Sequence, residues 1–487
     1  MDVQTLHNAA GKTQETKDAD LRSYHRTFAL LVRLCYNPRR SELSATAELL
    51  SQALIPDFDG QDGRFAAAFA ILREAIEQRA FPATSVAITQ EGKLVVLRSF
   101  GQFVYAEDVM GAPLLPNVGR SRDFDRDHRT VTPATLFDLA SLTKVIATTT
   151  IAMILYERGL LELDAPVIGT LPEFLSDATG NSDSRRHNVT FRMLLAHSSG
   201  LPAYEKLYLK ARTREELLNA AFAMPLTSDP GTRAVYSDIG FLVLGAALER
   251  LAEESLDAFC QREIFGPLAM ANTKFNPSRD LRRKIPPTAD ECGTATSVRE
   301  RHPSESNQGA SQHRPRRTFR NRIIQGEVQD ENAYVLGGVA PHAGLFSTAQ
   351  DVATFASALL ECGAGALARE KRASDENPSD SQKETNVPSI VRPETVALFT
   401  RRDTTPDTSR ALGWDTPSSP SQSGKHFGPN SYGHLGYTGT SLWIDPDREL
   451  SITLLTNRTW PDCSNQAIKQ VRPRFHDVVV EALEKAR

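Results

Sequence analysis

Cysteine is scarce in this chain. There are five in 487 residues (Cys35, Cys260, Cys292, Cys362 and Cys463), an odd number, scattered and without Cys-x-x-Cys spacing. That excludes a disulfide framework and a cysteine-based zinc site. Long apolar runs are also missing, which excludes a membrane-spanning helix. Neither sign of charge dominates: 56 Lys and Arg against 60 Asp and Glu leave a net charge of −4. Nothing global therefore points to nucleic acid or to an anionic membrane surface. There is no Gly-x-Ser-x-Gly elbow, no His-Glu-x-x-His motif and no phosphate-binding loop. A metal or cofactor is not implied, and the three commonest routes to a hydrolytic or nucleotide-binding site are closed.

What is present is a chain long enough for a large core and two domains or subdomains. Residues 1–60 read as an N-terminal extension, with a polar tip followed by helical periodicity from Leu21 to Leu54. Phe28 to Cys35 is short, carries Arg33 and lacks a small-residue cleavage site, so it reads as a helix face and not as a secretory signal. A cytoplasmic location is the expectation, with the periplasm as the alternative. Phe65, Phe69, Ile71, Leu72 and Ile76 have helical spacing, and Pro82 is the expected stop. Ser85–Thr89 and Lys93–Leu97 read as strands joined at Gln90-Glu91-Gly92. Leu139 to Ala258 is mainly helical in pattern, with breaks at Gly159, Pro166, Gly200-Leu201-Pro202 and Pro230-Gly231.

Strand pattern returns at Thr440–Ile444 and Leu450–Leu455, around Asp445-Pro446-Asp447, and a last amphipathic helix is expected from Arg472 to Glu484. Glu291 to Arg322 and Arg369 to Pro388 are polar and poor in apolar residues, the composition of surface inserts. The arginines of the first, Arg314, Arg316, Arg317, Arg320 and Arg322, are expected to be solvated. The expected architecture is α/β: an antiparallel sheet flanked by helices and built from both chain ends (61–135 and 427–487), with a mostly helical domain inserted (136–426).

Ser141-Leu142-Thr143-Lys144 opens an apolar helical run. A serine and a lysine three positions apart share one helix face, which brings an amine to a hydroxyl. Chance supplies about two Ser-x-x-Lys matches in a chain this long, but here there is one, and two more motifs follow in order. Tyr236-Ser237-Asp238 is the only Tyr-x-Asp or Tyr-x-Asn in the chain. A phenol beside a lysine ammonium favours its anion and can take a proton from a serine. Gly433-His434-Leu435-Gly436-Tyr437 precedes a strand, and glycines there allow substrate to lie against the strand edge.

In this order the three motifs resemble the penicillin-recognising serine hydrolases, and specifically the class C β-lactamase-like branch, which includes D-Ala-D-Ala carboxypeptidases and family VIII carboxylesterases. The resemblance runs from about Phe81 to the C-terminus, outside the two inserts. Leu194–Pro202 and His342–Asp351 also look like scaffold segments of that branch. The resemblance implies Ser141 as acyl-accepting nucleophile, Lys144 as alkoxide stabiliser and proton relay, and Tyr236 as base and then acid. It implies Asp238, His434, Gly436 and Tyr437 as substrate-binding positions, with the N–H groups of Ser141 and Tyr437 forming an oxyanion hole.

Three positions depart from the family pattern: Asp238 for Asn, His434 for Lys and Leu435 for Thr or Ser. Each weakens recognition of a substrate carboxylate. The expected activity is cleavage of an ester or amide through an acyl-enzyme, esterase-like by preference. A β-lactamase or D-Ala-D-Ala carboxypeptidase is the alternative, and a penicillin-binding or sensing protein without turnover is a third reading. The expected partner is a small ester, β-lactam or peptide; oligomeric state is left open.

Overall fold

The computed structural model describes residues 54–105, 130–175, 183–291, 319–362, 390–461 and 463–485. The expected helix between Leu21 and Leu54, Cys35, Cys292, the insert from Arg369 to Pro388 and most of the insert from Glu291 to Arg322 lie outside these residues.

After a single turn at Gln61–Arg64, the helix α1 (Ala66–Glu77) turns Ala68, Phe69, Ile71, Leu72 and Ala75 inward. It ends before Pro82 is reached. Arg79 takes a left-handed conformation, φ 60°, and the Ala80 N–H returns to the Ala75 carbonyl at 2.8 Å. Strands β2 (Ala83–Gln90) and β3 (Lys93–Gly101) follow β1 (Ile55–Pro56). Glu91 and Gly92 both have positive φ, the turn geometry that matches strand twist.

The main sheet combines these with β9 (Tyr432–Leu435), β10 (Ser441–Asp445) and β11 (Leu450–Thr456), in the order β1-β3-β2-β11-β10-β9. The two ends of the described chain meet in the β2–β11 pair, where Val86 faces Leu454 and Ile88 faces Ile452. The sheet is antiparallel except for the β1–β3 pair, which is parallel.

Alternation along β2 divides the core into two layers. Val86 and Ile88 join Phe69, Leu72, Phe475 and Val479 under α1 and the last helix, α5 (Ile468–Glu484). Ala87 joins the opposite layer, with Ile146, Leu155, Phe355 and Leu359. That layer is built by α2 (Thr150–Glu157), α3 (Asp238–Ala252) and α4 (Ala349–Cys362). α5 starts one turn earlier than the sequence suggests and carries Pro473 inside it. Proline reads as a helix start; burial of Ile468 draws the additional turn into the core.

Two small sheets were not legible in the sequence. β4 (Phe137–Asp138), β8 (Leu345–Ser347) and β5 (Lys274–Phe275) form one, and β6 (Pro287–Asp290) pairs with β7 (Ile323–Gln325) in the other. Strands of two to four residues are too short to show a period. The structure corrects the reading of Arg320 as solvated, while Arg322 keeps an exposed side chain. The Arg320 guanidinium is buried, pairs with Glu291 at 2.9 Å and donates to the carbonyls of Val328 and Gln329. Arg322 pairs with Glu327 at 2.6 Å.

Candidate active site

β4 delivers the chain into the site. Asp138, at the strand's end, is buried, and its two carboxylate oxygens accept the N–H groups of Ala140 and Gln329, each at 2.8 Å. Ala140 is held in the left-handed region, φ 47°. For a residue with a Cβ that conformation costs on the order of 1–3 kcal/mol, and the Asp138 bond to its N–H helps to hold it. Ser141 comes next, and the helical run begins with a π-helical segment, Lys144–Thr149, that continues into α2.

Lys144 is fully buried. Its Nζ donates to Ser141 Oγ at 3.1 Å, to Asp238 Oδ1 at 2.6 Å and to the His342 carbonyl at 3.1 Å. An ammonium has three N–H groups, and all three are used. Burial alone would lower its pKa, but the Asp238 carboxylate and Tyr236 outweigh that and hold it above the ordinary lysine value. Lys144 is therefore a cation at rest.

Tyr236 and Asp238 straddle Ser237. The Ser237 hydroxyl caps α3, accepting the Gly240 N–H at 2.8 Å and donating to the Pro202 carbonyl at 2.6 Å. This fixes Tyr236 just ahead of the helix and Asp238 in its first turn. The Tyr236 ring lies 4.7 Å from His197 and 4.9 Å from the Lys144 ammonium. Its hydroxyl is within hydrogen-bonding reach of Lys144 and Ser141. Burial raises the phenol's pKa, the Lys144 charge opposes this, and the Asp238 carboxylate adds to the rise. The sequence reading favoured the phenolate. The structure overturns that for the resting state: burial raises the phenol's pKa, and Asp238 adds to the rise by offsetting the ammonium that would have lowered it.

His434 lies on β9, buried, 5.8 Å from the Tyr236 ring. Its Nδ1 donates to the Leu435 carbonyl at 2.8 Å, leaving Nε2 without a proton. Burial, then the charges of Arg410 and Lys144, hold its pKa well below the usual histidine value. It is a neutral imidazole. His197 is neutral too: its Nδ1 accepts the Ser237 N–H at 3.0 Å, and burial keeps it unprotonated.

Gly436 and Tyr437 occupy the turn after β9. This turn is tied to the segment that precedes the nucleophile. Thr438 Oγ1 donates to the Asp138 carbonyl at 2.7 Å and Thr440 Oγ1 to that of Leu139 at 3.1 Å. A Cβ on Gly436 would stand 2.6 Å from the Leu139 carbonyl oxygen. The glycine is thus required by close backbone packing behind the site. Among the described residues, neither the Ser141 nor the Tyr437 N–H is used in a hydrogen bond to protein. One of these groups is on the nucleophile itself and the other is in the turn after β9, and unused N–H groups are the kind of donor an oxyanion needs.

The structure thus brings Ser141, Lys144, Tyr236, Asp238 and His434 together, with Gly436 and Tyr437 alongside. Sequence reasoning missed Asp138, whose only signal was its place three residues before Ser141. It also missed Arg410, which follows a polar loop and carries no motif. The Arg410 guanidinium lies 5.0 Å from the Tyr236 ring centroid. No group of His, Cys, Asp and Glu able to hold a metal occurs among the described residues, and no helix there is long and apolar enough to cross a membrane.

The β-lactamase family profile matches residues 68–471. The chain is 30% identical over 390 residues to the N-acetylmuramyl-L-alanine amidase of Bacillus subtilis, covering 78% of this chain and 77% of that protein. It is 28% identical over 399 residues to a putative D-alanyl-D-alanine carboxypeptidase of Salmonella typhimurium, covering 80% and 81%. Among solved structures it resembles EstCE1, a hydrolase with promiscuous acyltransferase activity, with a TM-score of 0.58 at 20% identity over 86% of this chain and 99% of that one. A penicillin-binding protein homologue from Caulobacter crescentus gives 0.58 at 17% identity, over 88% and 98%. These structural likenesses show a shared fold. The family match and the amidase relative show more: this chain belongs to the β-lactamase family of serine hydrolases.

Proposed function

We propose that the chain hydrolyses an ester or amide through an acyl-enzyme on Ser141. One observation carries the reading. The Lys144 ammonium spends one N–H on Ser141 Oγ and its other two on Asp238 and His342. Ser141 is an acceptor from Lys144, so its own proton is free to go to Tyr236. The phenolate form of Tyr236 takes that proton as Ser141 Oγ bonds to the substrate carbonyl carbon. The N–H groups of Ser141 and Tyr437 stabilise the oxyanion. Losing one such donor typically costs about 2.7–4 kcal/mol. Tyr236 then passes the proton to the departing oxygen or nitrogen as its bond to the acyl carbon breaks. Water enters by the same route in reverse and releases the acid.

Ester cleavage is the favoured activity. The base form of Tyr236 is scarce, and an alkoxide departs with less assistance than an amine. Amide or peptide cleavage is the second reading, supported by the amidase and carboxypeptidase names among the relatives.

The test is a labelled fluorophosphonate with mass spectrometry, beside turnover of p-nitrophenyl butyrate and nitrocefin. Wild type should carry the label on the Ser141 peptide. Ser141→Ala should carry none and lose about 10³-fold or more in turnover. Undiminished turnover in Ser141→Ala overturns the reading. A long-lived penicillin adduct without turnover replaces hydrolysis with binding or sensing.

A further inference from the structure

The turn that carries the Tyr437 N–H is held by a side chain to which the acyl-enzyme reading gives no part. Arg458 stands two residues beyond the end of β11 and is buried, 6% exposed. It meets the turn at four points. Its own N–H donates to the Thr438 carbonyl at 2.9 Å. Its stem packs on Gly439 so closely that a Cβ there would stand 2.6 Å from Arg458 Cγ and 3.0 Å from its Cβ. Its Nε donates to the Tyr437 carbonyl at 2.7 Å. Its guanidinium carbon lies 4.6 Å from the centroid of the Tyr437 ring.

The far end of the same side chain is anchored. One Nη donates to the carbonyls of Cys463 at 2.9 Å and Asn465 at 3.1 Å, in the segment that leads into α5. A guanidinium is a rigid plane, so fixing that nitrogen also fixes the direction of Nε. Tyr437 is 48% exposed, and a turn residue half in solvent has few packing contacts to fix its backbone. The peptide plane that carries its N–H ends at the Gly436 carbonyl, which accepts the Gly439 N–H at 3.0 Å. Gly439, with φ 95°, is the residue pressed against Arg458. Arg458 therefore acts on both planes flanking Tyr437: on the following one through the Tyr437 carbonyl, and on the preceding one through Gly439. Buried Arg472, on α5, adds a bond to the Gly439 carbonyl at 3.0 Å.

We propose that Arg458 is a positioning residue for the oxyanion hole, fixing the direction of the Tyr437 N–H before substrate arrives. A donor fixed in advance costs no reorganisation at the moment of reaction, whereas a donor in a loose turn must first be ordered. The hold matters most where charge has developed on the carbonyl oxygen, so its loss falls on the transition state and hardly on substrate binding. The proposal rests on the acyl-enzyme reading above.

The experiment uses two ketones of one skeleton, benzylacetone and its trifluoromethyl ketone analogue, with wild type, Arg458→Met and Arg458→Lys. The trifluoromethyl ketone accepts Ser141 Oγ at its carbonyl carbon, and its oxygen becomes an oxyanion in the hole; fluorine NMR identifies this adduct. Benzylacetone stays a ketone and reads ground-state binding. In Arg458→Met, affinity for the trifluoromethyl ketone should fall roughly tenfold or more, in step with kcat on p-nitrophenyl butyrate. Affinity for benzylacetone, and KM, should stay within about twofold of wild type. Arg458→Lys keeps the charge but cannot reach the carbonyls of Tyr437, Cys463 and Asn465 at once, and should lie between. If Arg458→Met does not fold, the same comparison in Arg458→Lys decides. Equal loss for both ketones assigns Arg458 to the fold alone and overturns the proposal, as does unchanged affinity for the trifluoromethyl ketone. Absence of the adduct in wild type means that the acyl-enzyme reading fails and the proposal with it; an adduct equally stable in wild type and variants means that the proposal alone fails.

Discussion

Asp238 Oδ1 lies 2.6 Å from Lys144 Nζ, so the buried ammonium beside the nucleophile has a carboxylate as its partner. An amide at this position would orient the lysine without neutralising it. The carboxylate instead offsets its charge, and the consequence reaches Tyr236. A phenol buried next to a compensated ammonium has less reason to ionise than one next to a bare ammonium.

Asp238→Asn should therefore lower the Tyr236 pKa. The Asp238 carboxylate raises it in the wild type, and the Lys144 ammonium lowers it. Removing the carboxylate leaves burial alone opposing the ammonium, and the asparagine oxygen can still accept from Nζ. The phenolate then forms at lower pH, so the rising limb of kcat/KM against pH on p-nitrophenyl butyrate should move toward acid. A limb that stays in place, or moves toward alkali, would show that Tyr236 is not the titrating base.

Asp138 offers a second test, on stability. Burial pushes its carboxyl from 3.8 up to about 6, against the two N–H groups it accepts. A raised carboxyl pKa means that the fold prefers the protonated form. The stability due to this group is complete below about 3.8 and is lost as pH rises through about 6. The full swing is at most about 3 kcal/mol. Asp138→Asn removes the titration and leaves one N–H without an acceptor, costing about 1–3 kcal/mol at every pH. The variant should melt below wild type at pH 4, and the gap should narrow by pH 7. A gap constant across that range refutes the assignment.

The catalytic motifs were legible because each needs particular side chains at short spacing. Ser141 and Lys144 meet on one helix face, and Tyr236 and Asp238 straddle a capping serine. Four strands of the main sheet were legible, in the runs Ser85–Thr89, Lys93–Leu97, Thr440–Ile444 and Leu450–Leu455, whereas β1 and β9 were not. What was not legible depends on tertiary neighbours. The neutrality of His434 comes from burial, the resting state of Tyr236 from burial aided by a carboxylate two residues away pointing at a lysine, and the place of Arg410 from its bridge through Asp415 to Gly433. None of these leaves a local pattern. The strands of two to four residues around the nucleophile segment are specified by the chain they pair with, not by their own composition.

Gly436 tests how tightly the oxyanion turn is tied to the nucleophile. An alanine Cβ would sit 2.6 Å from the Leu139 carbonyl oxygen and collide with Thr440 Oγ1. The first of these is backbone, two residues before Ser141, and cannot rotate away. Gly436→Ala should cost about 1–3 kcal/mol of stability and move the Tyr437 N–H relative to Ser141. We expect roughly tenfold or greater loss of kcat, with KM changed much less. Gly169→Ala is the control, because no atom lies within 4 Å of its added Cβ. Equal kinetics for the two variants would separate the Gly436 turn from the oxyanion hole.

Arg186 carries a different kind of prediction, remote from the chemistry. It is completely buried, and its guanidinium donates to the carbonyls of Phe174 at 2.7 Å, Phe222 at 2.7 Å and Met224 at 2.6 Å. It lies 4.8 Å from the Phe174 ring centroid. One side chain thus satisfies the carbonyls of two separate segments of the helical layer. Arg186→Met matches its length but donates nothing, and three carbonyls lose their partner. At about 1 kcal/mol or more for each, the loss should come to roughly 3–5 kcal/mol. Chemical denaturation should show the midpoint falling in Arg186→Met. Activity per folded molecule on p-nitrophenyl butyrate should stay within twofold of wild type, because Arg186 touches no residue of the site. A midpoint unchanged from wild type would mean that those carbonyls find other donors, and that the guanidinium adds nothing net to the fold.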